Sequence, residues 1–182
     1  DGVIDSRSAT GGYGYWYFNI NNVTLEGRDG VSGTDTSYQP RRLLDAEDSH
    51  VTLSGKVIAN VKQELMQIGE VAIANGAHVE LNRTAGTTGY SMFYYMAIRG
   101  NNASDTGFNH TFKVGDGATI IGNELSTYNS NNYPLVYYGF NSITVGDDVT
   151  WKQDGFQMLL DFSRYSGSQS NDRTATFGRI CK

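Results

Sequence analysis

Cysteine, proline and long apolar runs are nearly absent from this chain. The one cysteine, Cys181, excludes an internal disulfide and offers no metal-site spacing. The 2 prolines, Pro40 and Pro134, exclude a proline-rich linker. No apolar run approaches the roughly 20 residues of a membrane-spanning helix, so membrane insertion is not expected. No leader-like segment opens the chain, as expected of a mature or excised segment. Positive charge is also short. With 14 basic and 19 acidic side chains the net charge is −5, a poor match for nucleic acid. What remains is enough for one domain of 182 residues with a real core. The 22 glycines and 12 tyrosines, among many Asn, Thr and Ser, suit an all-β chain with tight turns.

An internal repeat organises the sequence. The segment from Leu135, LVYYGFNSITVGD, matches LLDAEDSHVTLSG from Leu43 at an offset of 92 residues. It also matches YWYFNINNVTLEG from Tyr15 at an offset of 120. Each copy has an apolar block, a polar corner, an apolar-x-apolar block, then Gly or Asp. LMQIGEVAIANG from Leu65 fits with a shorter corner, and segments from Met92 and Gln157 fit with polar insertions. That gives about six repeats of irregular length.

Three short strands are predicted per repeat. The second reads Val23-x-Leu25, Val51-x-Leu53, Val71-x-Ile73, Phe112-x-Val114 and Ile143-x-Val145. A turn follows at Ala74-Asn75-Gly76, Gly115-Asp116-Gly117 or Gly146-Asp147-Asp148. The third strand reads Ala77-x-Val79-x-Leu81, Ala118-x-Ile120 and Val149-x-Trp151. Alternation with period two argues strand throughout, with a short helix tolerable only over Val61 to Ile68. Aligned columns favour a parallel β-solenoid over a sandwich, whose strands have no reason to repeat their neighbours. The fold expected is therefore an all-β parallel β-helix of about six rungs, three short strands per rung. Residues 1–182 form one domain, with 1–14 and 166–182 as capping or irregular ends.

The first strands set the register. Gln157 and Asp161 belong outside, so Met158, Leu160 and Phe162 face inward. The same parity places Trp16, Leu44, Met66, Phe93, Val136 and Met158 in one inward column. Phe18, Ala46, Ile68, Tyr95, Tyr138 and Leu160 form the other. The outward column between them reads Tyr17, Asp45, Gln67, Tyr94, Tyr137 and Leu159. Tyr94 and Tyr137 then sit one strand spacing apart, about 4.8 Å. They form either a stacking platform for a ligand or a pair packed under the loop Asn101 to His110. Arg99 lies at the edge of that platform, with Tyr17 and Gln67 on the same face.

At this point the chain resembles the pectate-lyase-like adhesive domain of Gram-positive cell-wall proteins. The resemblance is carried by Asn22-Val23-Thr24-Leu25, Val51-Thr52-Leu53-Ser54-Gly55 and Ala74-Asn75-Gly76-Ala77. Val114-Gly115-Asp116-Gly117-Ala118 and the run Tyr138 to Asp147 complete it. It implies a right-handed β-helix displayed extracellularly on a bacterial cell wall. It also implies adhesion to a glycan or a matrix or host-surface protein, with the isolated domain monomeric. Enzymes of this fold are lyases with a Ca2+ site of clustered carboxylates beside a proton-abstracting basic residue. The nearest equivalent here is Asp45, Glu47 and Asp48, a thin set for an ion that takes six to eight oxygens. Arg41 and Arg42 can neutralise that cluster instead.

Other catalytic patterns are weak. A glycosidase needs two carboxyl groups facing one cleft. Glu47 and Glu70 can meet on adjacent corners, but nothing singles them out. His50, His78 and His110 have no metal spacing, and no Gly-x-Ser-x-Gly or phosphate loop occurs. Turn residues Asp116, Asp147 and Asp148 are expected to bond their own backbone. The expectation is thus a non-catalytic binding module without a cofactor. The alternatives are a Ca2+-dependent polysaccharide lyase or glycoside hydrolase, and a structural spacer in a wall-anchored protein.

Overall fold

A computed structural model describes residues 4–5, 17–26, 42–61, 64–83, 93–94, 111–124, 134–136, 142–154, 158–160 and 174–179. Among these residues, thirteen strands join in one sheet. They are β1 (Ile4–Asp5), β2 (Tyr17–Glu26), β3 (Arg42–Val61), β4 (Glu64–Ile73), β5 (His78–Arg83), β6 (Phe93–Tyr94) and β7 (Thr111–Val114). Then follow β8 (Thr119–Glu124), β9 (Pro134–Val136), β10 (Ser142–Val145), β11 (Thr150–Asp154), β12 (Met158–Leu160) and β13 (Thr174–Phe177).

Every pairing is parallel, and the pairings form three ladders. The first runs β1, β3, β4, β6, β9, β12. The second runs β2, β3, β4, β7, β10, β13. The third runs β2, β3, β5, β8, β11. Because β3 belongs to all three, the sheet curls around its own interior. The architecture is all-β and solenoid-like, as the repeat implies.

Alternation fills that interior. Val51 and Leu53, Val71 and Ile73, Phe112 and Val114, and Ile143 and Val145 are buried on successive strands of the second ladder. Val57 and Ala59, Val79 and Leu81, and Ile120 do the same in the third. In the first ladder Leu44, Met66 and Ile68 are buried as the parity requires. Each large side chain buried this way contributes about 1.5–3 kcal/mol. Leu65 is also buried, although the parity turns it outward.

Leu44, Met66, Phe93 and Val136 follow one another in the first ladder, as the alignment at offset 92 requires. Two other expectations need correction. Val136 lies opposite Leu160, and Met158 opposite Pro134. This slip of two residues preserves which face each side chain takes, so the apolar pattern cannot detect it. The second error concerns the start of the chain. Leu44 pairs with Ile4 of β1, not with Trp16, which lies outside the described residues, as do Tyr95 and Tyr138. Phe18 and Ile20 instead pair with Val51 and Leu53, and Val23 and Leu25 with Val57 and Ala59. Val-Thr-Leu occurs both at Val23 and at Val51, and period two is satisfied by either alignment. What separates them is the corner at Asn22, whose φ of 50° turns the chain from the second ladder into the third. Glu64–Ile73 is strand, as the alternation argues, with Met66 and Ile68 held between β3 and β6 or buried against the core.

The corners after the second ladder are β-turns closed by Ala77 N–H to Ala74 O at 3.1 Å and Ala118 N–H to Gly115 O at 3.3 Å. Their polar residues do not bond their own backbone as expected. Asn75 Oδ1 accepts from Asp116 N–H at 3.1 Å, and Asp116 Oδ1 from Asp147 N–H at 2.8 Å. Asp147 Oδ1 in turn accepts from Arg179 N–H at 2.8 Å. Stacking brings the next turn within reach, and the side chains satisfy that turn's donors. The close approach dictates two glycines. A Cβ at Gly115 would be driven into Asn75, and one at Gly146 into Asp116.

Candidate binding face

The outer side of the second ladder carries two rows of side chains. One row is Tyr17, His50, Glu70, Thr111, Ser142 and Thr174, aligned strand by strand. The other is Asn19, Thr52, Ala72, Lys113, Thr144 and Thr176. Every one of these residues is exposed or half-buried.

Three neighbours in the first row interact directly. Tyr17 is 74% exposed, and its ring stacks on His50 with centroids 4.5 Å apart and planes 3° apart. His50 Nδ1 lies 2.5 Å from Glu70 Oε2. A carboxylate oxygen only accepts, so the Nδ1 proton of His50 donates to Glu70. Glu70 thus fixes the plane of the imidazole, and the imidazole fixes the plane of Tyr17. The result is an exposed aromatic surface that needs little ordering before it meets a ligand. Further along the row, Thr174 Oγ1 donates to Ser142 Oγ at 3.3 Å.

The structure redistributes the residues singled out in the sequence. Asp45, Gln67 and Tyr94 fall opposite one another on β3, β4 and β6, as expected. Their side chains, those of Glu47 and Asp48, and all of Arg99 and Tyr137 lie outside the described residues. Tyr17 leaves that column and joins His50 on the second ladder. Glu70 lies opposite His50. Among the described residues no group of three His, Cys, Asp or Glu is arranged to hold a metal ion.

Two further polar arrays escaped the sequence. Along the third ladder, Asn60 Nδ2 donates to Glu26 at 2.7 Å, Asn82 Nδ2 to Asn60 at 2.9 Å, and Asn123 Nδ2 to Asn82 at 2.7 Å. Asn82 is buried, and Glu80 Oε1 accepts from it as well at 3.1 Å. These amides satisfy one another across strands, a structural duty. At the last turn, Arg179 folds its guanidinium onto Asp147, Nη2 to Oδ2 at 2.9 Å. The Arg179 backbone N–H, then its side chain, hold the Asp147 carboxyl below its ordinary value. The signal for the His50–Glu70 pair was present. Val51 and Val71 align at an offset of 20, which already sets His50 beside Glu70.

Comparison with protein-family models, curated proteins and solved structures found no match to this chain.

Proposed function

We propose that this chain is a non-catalytic binding module of a bacterial surface protein, acting outside the cell. In this reading it is a right-handed β-solenoid of about six rungs, of the pectate-lyase-like adhesive type. It recognises a glycan or a matrix or host-surface protein. The observation that carries the reading is the exposed Tyr17 ring on the second ladder, stacked on His50 and braced by Glu70. Tyr17 stands on edge from the sheet, with one ring face against His50 and most of the side chain in water, and so offers contact area at little entropic cost.

The test is an array of glycans and matrix proteins probed with the full chain. A saturable ligand is expected, and Tyr17→Ala should weaken it by about tenfold or more with circular dichroism unchanged. Absence of any saturable ligand would leave the chain a structural spacer. The first-ladder platform around Tyr94, Tyr137 and Arg99 is the second candidate face. It is tested by the double change Tyr94→Ala with Tyr137→Ala against the same ligand. Depolymerisation of a polysaccharide, with or without Ca2+, would replace this reading by the lyase or hydrolase.

A further inference from the structure

We propose, resting on the binding-module reading above, that the second-ladder face takes an uncharged, extended β-1,4-linked polysaccharide. The polymer lies along the stacking axis, with successive sugars on successive strands. Its first contact is Tyr17, whose exposed ring edge and hydroxyl meet the first sugar while its ring face stacks on His50. Beyond Glu70 the same row presents hydroxyls from Thr111, Ser142 and Thr174 on three consecutive strands. The parallel row adds Thr144 and Thr176. A hydroxyl donates and accepts, so each can meet a sugar hydroxyl in either sense. These groups recur at the strand spacing of about 4.7–4.9 Å, a length of the same order as one sugar in an extended chain.

Charge selects the class of polymer. On these two rows Glu70 is the one carboxylate, already hydrogen-bonded to His50, and Lys113 the one ammonium. A polyanion asks for several Arg or Lys side chains in one place, and this face does not have them. Composition argues against a protein partner. Protein interfaces centre on an apolar, aromatic patch. Past Tyr17 the only aliphatic side chain on the two rows is Ala72.

The test titrates the full chain with β-1,4-linked gluco-, xylo-, manno- and N-acetylglucosamine oligomers, each as disaccharide and hexasaccharide, by calorimetry. At least one series should bind, its hexasaccharide about tenfold tighter than its disaccharide. Thr144→Glu, and separately Thr176→Glu, should remove that gain while leaving the disaccharide unaffected. Tyr17→Ala should weaken both lengths. Equal affinities for the two lengths, or hexasaccharide binding within about twofold after both glutamate changes, would overturn the axial polysaccharide. So would binding of a matrix protein alone. In those cases a Tyr17-dependent array ligand would still uphold the binding module. No ligand of either class would overturn both.

Discussion

Phe112 shows what one side chain contributes to this fold. It is fully buried between Val71 and Ile143 on the flanking strands, and its ring lies 5.9 Å from that of Trp151. Phe112→Ala should cost about 3–5 kcal/mol, as large core truncations do. A urea melt showing a loss under about 1 kcal/mol would contradict its place in the core. At the surface Asp147 supplies a different reporter. Its folded pKa lies below the unfolded one, so its contribution to stability is present above the unfolded value. That contribution is lost as pH falls through the folded value. In an NMR titration the Arg179 amide should shift with a midpoint below the ordinary aspartate value of about 3.9. A midpoint at or above that value would contradict the hydrogen bonds from Arg179.

Strands and corners were unequally legible in the sequence. The second and third strands could be placed because Val-x-Leu or Phe-x-Val blocks stand beside Gly-Asp or Asn-Gly turns. The first-strand ladder was legible from Leu44 to Val136 and then slipped by two at Leu160, a shift invisible to alternation. β2 was misplaced because its corner is made by Asn22 in a positive-φ conformation without a glycine. That error hid Tyr17 from His50, while Glu70 stood in the same alignment column as His50. The turn ladder was hidden for another reason. Side-chain bonds between turns 31 to 41 residues apart leave no local pattern. Its tight stacking predicts coupling. Gly146→Ala drives a methyl into Asp116 and should cost about 1–3 kcal/mol. In the Asp116→Ala background the same change should cost measurably less. Equal costs in both backgrounds would mean that the Asp116 carboxylate does not sit over Gly146, since the Asp116 backbone N, 2.8 Å from the added methyl, stays in both.

At the scale of the molecule, the stack is held most firmly in its middle. Val51, Leu53, Val71 and Ile73 are almost wholly inaccessible, whereas β13 is exposed throughout and Phe177 is 51% exposed. Stacked repeats contact only their neighbours, so an end strand opens at lower cost than a central one. Hydrogen exchange should therefore be fastest at Thr174–Phe177 and slowest at Val51–Leu53, and uniform protection would contradict that gradient. The same stacking leaves Tyr17, His50 and Glu70 in line on the second-ladder face. The central claim is that binding uses this face. Its most direct test is the footprint of an array-identified ligand on the amide NMR spectrum of the full chain. Shifts should cluster at Tyr17–Asn19, His50–Thr52 and Glu70–Ala72. A footprint confined to β6 and β9 of the first ladder, with the second ladder silent, would contradict it.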